Sequence, residues 1–184
     1  MKSDKFTALF CVIVVCWLNA SCQNPVNNSN TAINIQKMEN SSAIKNPYYS
    51  RTDTTKLTVS DAEWKRILPD SIFQVGRLQG TERAFTGKFW DYEGLGSYYC
   101  AICGNALFRS DTKFSSSCGW PSFYEALRPN SVIYHTDNSY GMSRVEVVCG
   151  RCDSHLGHIF DDGPPPTGKR FCMNSVMLDF EPDK

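Results

Sequence analysis

The sequence predicts a mainly β domain over residues 57–184, with one short helix at its N-terminal end and antiparallel strands after it. All 12 glycines lie between positions 76 and 168, and short runs of β-branched and aromatic residues separate them. Runs bounded by turn residues in this way are typical of strands. A chain of 184 residues has room for one such domain and some additional sequence.

The N-terminal residues 1–21 have the pattern of a secretory signal peptide. Two lysines precede an apolar run at residues 6–18, which is shorter than the roughly 20 residues of a membrane span. Cys22 follows two small residues, as in the lipobox of bacterial lipoproteins, although Asn19 stands where that motif usually has leucine. We therefore expect an exported protein of a bacterial cell envelope or periplasm, lipid-anchored at Cys22. Simple secretion and an uncleaved anchor are the alternatives.

Residues 22–56 are predicted to form a flexible tether between this leader and the domain. Up to about position 47 the segment is rich in asparagine and serine and contains no aromatic residue. It cannot bury enough apolar surface to offset the entropy lost on ordering. The tether would leave the domain free to turn relative to a membrane.

The predicted helix begins at Ser60, which forms a capping box with Glu63. Trp64 and Ile67 follow at helical spacing, and Pro69 is expected to end the helix. No further helix is predicted. The clearest strand candidates come after it, and they are residues 131–136, 143–149 and 175–180.

The charge balance excludes two classes of partner. With 19 basic and 19 acidic side chains, the chain lacks the positive field that nucleic-acid binding requires. It also lacks a polybasic patch for membrane surfaces, so membrane contact is expected only through Cys22.

Four of the nine cysteines form two Cys-x-x-Cys pairs, Cys100 with Cys103 and Cys149 with Cys152. Two such turns can supply the tetrahedral sulfur ligands that zinc prefers, so we predict one structural zinc ion joining two distant hairpins. The alternatives are disulfides, which the oxidising compartment of an exported protein favours, and a thioredoxin-like redox pair.

Cys118 and Cys172 remain once the leader and the predicted zinc ligands are set aside. They could form a static disulfide between two strands. Alternatively, Arg170 could stabilise a thiolate and lower the pKa of a cysteine from its usual value of about 8.5. His155 and His158 could contribute if they are protonated and fold nearby.

Several segments closely resemble the B-type methionine-R-sulfoxide reductases. They are residues 80–87, residues 118–123, residues 155–175 and both Cys-x-x-Cys pairs. The similarity covers residues 60–184, with one departure: Ser117 stands where the family usually has glycine. The resemblance implies two antiparallel sheets, with the zinc site on the far side from the catalytic groove.

The resemblance also implies the chemistry. Cys172 would attack the sulfur of peptide-bound methionine sulfoxide and become a sulfenic acid, and Cys118 would resolve it as a disulfide. A thioredoxin-like dithiol would then restore both thiols, so that a monomeric enzyme repairs oxidised proteins. The competing hypothesis is a zinc-stapled binding module in which these two cysteines are permanently bonded.

Further site roles follow from the same resemblance. His155 and His158 would protonate or hydrogen-bond the departing oxygen. Trp120 would contact the S-methyl group of the substrate, unless it is simply a core residue. Asn174 and Arg170 would orient and charge-stabilise the site. Asp162 would hold a hydrogen-bond network on the substrate side of the site. A position in a solvated turn would explain this residue equally well.

Overall fold

The computed structural model describes residues 46–184. The predicted signal peptide, Cys22 and the tether up to residue 45 lie outside the described residues. The helices and strands are, in chain order, α1 (Asp61–Ile67), α2 (Asp70–Gly76), β1 (Gly96–Cys100), β2 (Ala106–Arg109), β3 (Lys113–Phe114), β4 (Ser122–Phe123), β5 (Val132–Asp137), β6 (Arg144–Cys149), β7 (His155–Phe160), β8 (Arg170–Met173) and β9 (Leu178–Pro182).

The strands form two antiparallel sheets, as expected. The smaller sheet has the order β2-β1-β9, and the larger has the order β3-β4-β8-β7-β6-β5. Buried aromatic rings join them: Phe108 of the smaller sheet stacks on Phe123 of the larger at 4.4 Å between ring centroids. The core therefore lies between the sheets. Neither helix within residues 46–184 has the length and apolar character that crossing a membrane requires.

The prediction of a single helix is wrong. Helix α1 begins with Ser60 accepting a hydrogen bond from the backbone of Glu63, as the capping box predicts, and buries Trp64 and Ile67. Pro69, however, also precedes the second helix, α2. Proline suits this place because the first helical turn leaves its backbone N–H groups unpaired in any case.

The strand predicted at residues 175–180 is only partly correct. Residues 132–137 and 144–149 are strands close to their expected bounds. Ser175–Met177 instead forms a 3-10 turn, and the strand begins at Leu178. In this turn the backbone N–H groups of Ser175 and Val176 both donate to the carboxylate of Glu82.

Residues 48–57, called here the strap, pack against the domain although they fall almost wholly within the predicted tether. Arg151, only 3% exposed, donates hydrogen bonds to the carbonyl of Tyr48 and the carboxylate of Asp53. The backbone N–H of Ser50 donates to the carbonyl of Cys103. The strap therefore contacts both Cys-x-x-Cys turns, and the folded part of the described chain begins upstream of residue 57.

Candidate functional site

One face of the larger sheet carries a row of polar side chains from five neighbouring strands. Residues directly opposite each other in paired strands project to the same face. From β4 to β5 the opposed residues are Ser122, Cys172, His158, Glu146 and His135. The strand register thus brings the predicted nucleophile beside a predicted proton donor.

Two glycines shape the backbone around the cysteines. Gly119 has a φ of +88°, a conformation that favours glycine, and it turns the chain immediately after Cys118. At Gly157 a Cβ atom would lie 2.1 Å from the carbonyl oxygen of Cys172, so only glycine lets β7 approach β8 there. These positions explain the glycines in the CGW and HLGH segments.

Cys118 and Cys172 come together. Their sulfur atoms are 3.6 Å apart, and both are free thiols. A disulfide requires about 2.05 Å between sulfur atoms. The pair is therefore a dithiol that can close with a small movement.

A cavity of about 120 Å³ lies next to Cys172 and is called here the reaction cavity. Trp120, His158 and Asn174 also line it, together with Thr81, Arg144, Gly157 and Phe160. Cys118, His155, Arg170 and Asp162 do not line this cavity. Access from the cavity therefore distinguishes Cys172 from Cys118.

The pKa values of the two thiols are shifted in opposite directions. Burial raises the pKa of Cys172 to about 12 and the charge on Cys118 adds to this rise, while Arg170 opposes both. Arg170 therefore does not by itself give Cys172 a lowered pKa in the resting pair. The favourable effect of Arg170 is present but smaller than the cost of burial.

Cys118 is the more acidic thiol of the pair. Burial raises its pKa, but hydrogen bonds with Ser116, Ser122 and the backbone at Trp120 outweigh burial and lower it to about 7. The Ser116 hydroxyl lies 2.9 Å from the Cys118 sulfur and 2.7 Å from the Ser122 hydroxyl. This chain of hydroxyl groups stabilises the thiolate form of Cys118.

Ser116→Ala is expected to make Cys118 less reactive at neutral pH. Loss of the hydroxyl donor raises the thiolate pKa, and a rise of one unit from about 7 would lower the thiolate fraction at pH 7 about fivefold. Alkylation rates of Cys118 across pH 5–9, resolved by peptide mass spectrometry, measure this shift. Exposed Ser117 provides the control, since Ser117→Ala should leave the profile in place. An unchanged profile in Ser116→Ala would refute the role.

His155 is buried beside the cavity and paired. Its Nδ1 atom lies 2.7 Å from Oε1 of Glu146, which also accepts a hydrogen bond from Gln79 at 3.0 Å. Burial lowers the pKa of His155 against the opposing effect of Glu146, so the ring is neutral near pH 7. His155 does not reach the reaction cavity, and it lines an adjoining one.

His158 borders the reaction cavity directly. Its Nε2 atom lies 2.7 Å from Oδ2 of Asp137, which also accepts from Arg144 at 2.6 Å. Hydrogen bonds from Ser139 and His158 hold the pKa of Asp137 well below its usual range. The carboxylate fixes one ring nitrogen of His158, which leaves Nδ1 for a group bound beside Cys172.

Trp120 and Asn174 are held by the segment around Glu82. The indole N–H of Trp120 donates to the Glu82 carbonyl at 3.2 Å. Asn174, 3% exposed, accepts from the backbone N–H of Glu82 and donates to the Leu156 carbonyl. Both side chains line the cavity in fixed orientations, so Trp120 is more than a core residue.

Arg170 and Asp162 pair with each other. Two hydrogen bonds of 2.8 and 2.9 Å join the guanidinium to the carboxylate, and the guanidinium also stacks 4.4 Å from the Phe160 ring. Asp162 is thus placed by Arg170 at the edge of the site, and neither residue lines the reaction cavity.

Sequence reasoning missed several residues that shape the site. They are Glu82, Ser116, Ser122, Asp137, Arg144 and Glu146. The alternation of Arg144 and Glu146 with valines was an available signal, because it places both on one face of a strand. No sequence pattern marks Ser116 and Ser122, because their contact with each other depends on the turn at Gly119.

The four cysteines of the Cys-x-x-Cys pairs form one buried cluster. Their ligand atoms all lie within 4.8 Å of one another, with 3.8 Å between Cys100 and Cys152 and 3.6 Å between Cys103 and Cys149. A tetrahedron of zinc–sulfur bonds of about 2.3 Å has edges of about 3.8 Å. The spacing fits zinc and is too long for disulfides. None of the four lines the reaction cavity, so the cluster has the character of a structural site.

Comparison with known proteins agrees with this arrangement. The family model described as the SelR domain matches residues 68–182. A peptide methionine sulfoxide reductase MsrB from Thiobacillus denitrificans is 54% identical over 123 residues, which are 67% of this chain and 93% of that protein. A protein of the same name from Methanosarcina mazei is 53% identical over 125 residues, or 68% of this chain and 89% of its own length.

The match extends over nearly all of the folded region, and it includes the adjacent thiols, the cavity beside Cys172 and the four-cysteine cluster. The protein is therefore an enzyme of the methionine sulfoxide reductase B family.

Proposed function

We propose that this enzyme reduces the R isomer of peptide-bound methionine sulfoxide, and so repairs oxidised proteins. The main support is the geometry of the dithiol. Cys172 borders a cavity lined by Trp120 and His158, and the sulfur of Cys118 lies 3.6 Å from that of Cys172, outside this cavity. One sulfur can meet a substrate while the other waits within reach. We also propose that the enzyme is a monomer and that its electron donor is a thioredoxin-like dithiol.

In the first step the Cys172 sulfur attacks the sulfoxide sulfur. Because burial raises the pKa of Cys172, its proton must leave as the new bond forms. The sulfoxide oxygen gains negative charge in the same step. With Nε2 paired to Asp137, Nδ1 of His158 can accept the proton that leaves Cys172 and pass it to this oxygen. Oxygen transfer then yields methionine and Cys172 as a sulfenic acid, so methionine sulfoxide is reduced and Cys172 oxidised.

In the second step Cys118 attacks the sulfenic sulfur of Cys172. The lowered pKa of Cys118 makes it a thiolate near pH 7, the reactive form for this displacement. A disulfide forms, and the hydroxyl group of the sulfenic acid leaves as water. An external dithiol then reduces the disulfide and is itself oxidised, which returns both thiols.

Trp120 supplies the basis for stereoselection. An indole wall accepts an S-methyl group by shape and dispersion, while His158 requires the oxygen on its own side of the cavity. Only one configuration at sulfur places both groups correctly with the sulfur facing Cys172.

We further propose that Cys100, Cys103, Cys149 and Cys152 hold one structural zinc ion, which stabilises the fold without an open coordination position. Export and lipidation at Cys22 are proposed on the leader sequence alone. Mass spectrometry of the mature N-terminus tests the lipid anchor.

The test of the function is a stereospecific assay. With a dithiol donor, the purified protein is expected to convert a peptide carrying methionine R-sulfoxide to methionine and to leave the S isomer intact. Chromatographic separation of both isomers measures the two rates. Equal consumption of the isomers would refute the stereochemical assignment, and consumption of neither would favour a binding module.

A further inference from the structure

Phe85 carries an exposed aromatic ring on the segment between α2 and β1. The residue is 55% exposed, and its backbone φ is +64°. Bulky side chains rarely adopt this left-handed conformation, which costs free energy wherever it occurs. Since so much of the ring is in solvent, burial of the ring does little to offset that cost. A strained backbone that displays an apolar ring to solvent points to a role in function.

The strained residue is fixed against the turn that follows Cys118. The backbone N–H of Phe85 donates to the carbonyl of Gly119 at 2.8 Å. A Cβ atom at Gly119 would lie only 2.9 Å from Cδ2 of the Phe85 ring, so the ring packs directly on this glycine. Cys118, the residue before Gly119, is itself only partly buried. The exposed ring therefore lies beside the turn that carries the more acidic thiol.

Trp90 supports the Phe85 ring and connects it to a groove. The two rings make an edge-to-face contact with their centroids 5.4 Å apart. Trp90 also lines a groove of about 240 Å³, as does Phe114. The charged residues that line this groove are Asp91, Glu93 and Lys113. Phe85, Trp90 and Phe114, called here the aromatic patch, thus form an apolar surface with charged groups around it, as is usual in protein–protein contacts.

The aromatic patch is separate from the cavity that meets the substrate. None of its three residues lines the reaction cavity or the cavity of about 460 Å³ that adjoins it. A sulfoxide reaches Cys172 from the reaction cavity, whereas Cys118 lies outside that cavity. Once the disulfide has formed, a second reactant must reach the same pair of sulfur atoms. The aromatic patch flanks the side of the pair that the first reactant does not occupy.

We propose that the aromatic patch is the docking surface for the protein that reduces the Cys118–Cys172 disulfide, with the Phe85 ring as its main apolar contact. The partner is a thioredoxin-like protein whose reactive thiol is surrounded by apolar surface. Aromatic side chains that are already held in place lose little conformational entropy on binding and often dominate the energy of an interface. This assignment rests on the proposed function and adds to it the surface that the electron donor uses.

The experiment compares a protein donor with a small one. The protein is first oxidised to the Cys118–Cys172 disulfide with diamide, in the absence of any sulfoxide, and mass spectrometry verifies the pairing. Rapid-quench measurements then give the rate constants for reduction by a bacterial thioredoxin and by dithiothreitol. Phe85→Ala should lower the rate constant for thioredoxin about tenfold. It should leave the rate constant for dithiothreitol unchanged, because a small dithiol needs no docking surface.

Tyr134→Ala is the matched control. Tyr134 is an aromatic residue with 48% exposure, and it precedes His135 in β5, so it projects from the face of the larger sheet opposite to Cys172. Both of its rate constants should equal those of the wild type. Phe85→Leu, which keeps an apolar side chain, should show a smaller loss with thioredoxin alone. That loss carries the test if Phe85→Ala fails to fold.

Equal slowing of both donors in the Phe85 variants would indicate that Phe85 only shapes the surroundings of the disulfide, and it would overturn the proposal. Unchanged rates with both donors would do the same. So would a wild-type disulfide that dithiothreitol reduces and thioredoxin does not.

A single turnover without donor separates the aromatic patch from the substrate site. Stoichiometric Phe85→Ala protein should form methionine from a methionine sulfoxide peptide at the wild-type rate. A slower first turnover would assign the ring to the substrate and overturn the docking surface. Because diamide forms the disulfide, the docking surface is decided even if the wild type reduces no sulfoxide, a result that would refute only the proposed function.

Discussion

Cys172→Ser is expected to abolish reduction of methionine sulfoxide, with a loss of at least about 10³-fold. A serine hydroxyl is a far weaker nucleophile than a thiol and cannot accept oxygen from the substrate as a sulfenic acid does. Serine nearly matches cysteine in size, so the strand pairing of β8 and the zinc content should persist. Quantifying methionine formed by stoichiometric enzyme without a donor measures the loss.

Cys118→Ser is the matched variant on the other member of the dithiol. It should form about one equivalent of methionine per chain and then stop, with Cys172 trapped as a sulfenic acid by a dimedone reagent. A thioredoxin-like donor should not restart it. Undiminished recycling would show that another thiol resolves Cys172, and residual turnover in Cys172→Ser would contradict its assignment as nucleophile.

Removal of the proposed structural zinc is expected to unfold the domain. Apparent binding free energies of structural zinc are about 10–16 kcal/mol, as large as the roughly 5–15 kcal/mol of a typical folding free energy. Cys149→Ser removes one of four ligands from a cluster with no exposed sulfur. Circular dichroism should show lost structure, with zinc content falling well below one equivalent.

Cys118→Ser also serves as the control for the zinc site, because Cys118 is a free cysteine outside the cluster. It should retain about one equivalent of zinc and a wild-type thermal transition. A zinc-free protein that kept its fold but lost activity would contradict the structural role. It would indicate that the metal takes part in the chemistry.

The four-cysteine cluster was predictable from sequence because each Cys-x-x-Cys turn is local. Two residues of separation fix both sulfurs on one side of a turn, and only the meeting of the two turns is long-range. The second helix was missed because Pro69 is compatible both with ending one helix and with beginning the next. Local pattern could not choose between these two.

The acidity of Cys118 could not be predicted because it depends on the exact conformation of one short segment. Ser116, Trp120 and Ser122 all lie within four residues of Cys118, but the sequence does not show that the turn at Gly119 brings the Trp120 backbone and the Ser122 hydroxyl back to the sulfur. Arg170 was correctly recognised as a favourable charge near Cys172, but its effect had to be weighed against a burial that the sequence does not display. The effect of burial is larger than the effect of Arg170, so the pKa of Cys172 is raised.

The strap bears on where this domain can be shortened. A chain cut at residue 57 would lose the Tyr48 carbonyl and the Asp53 carboxylate as partners of Arg151. Arg151 would then keep only the Cys103 carbonyl as an acceptor and lose the three acceptors that the strap supplies, a costly loss for a charged hydrogen-bond donor. Because Arg151 stands between Cys149 and Cys152, that cost would fall on the zinc turn itself. The smallest autonomous unit of this enzyme therefore includes residues that composition alone assigns to a spacer.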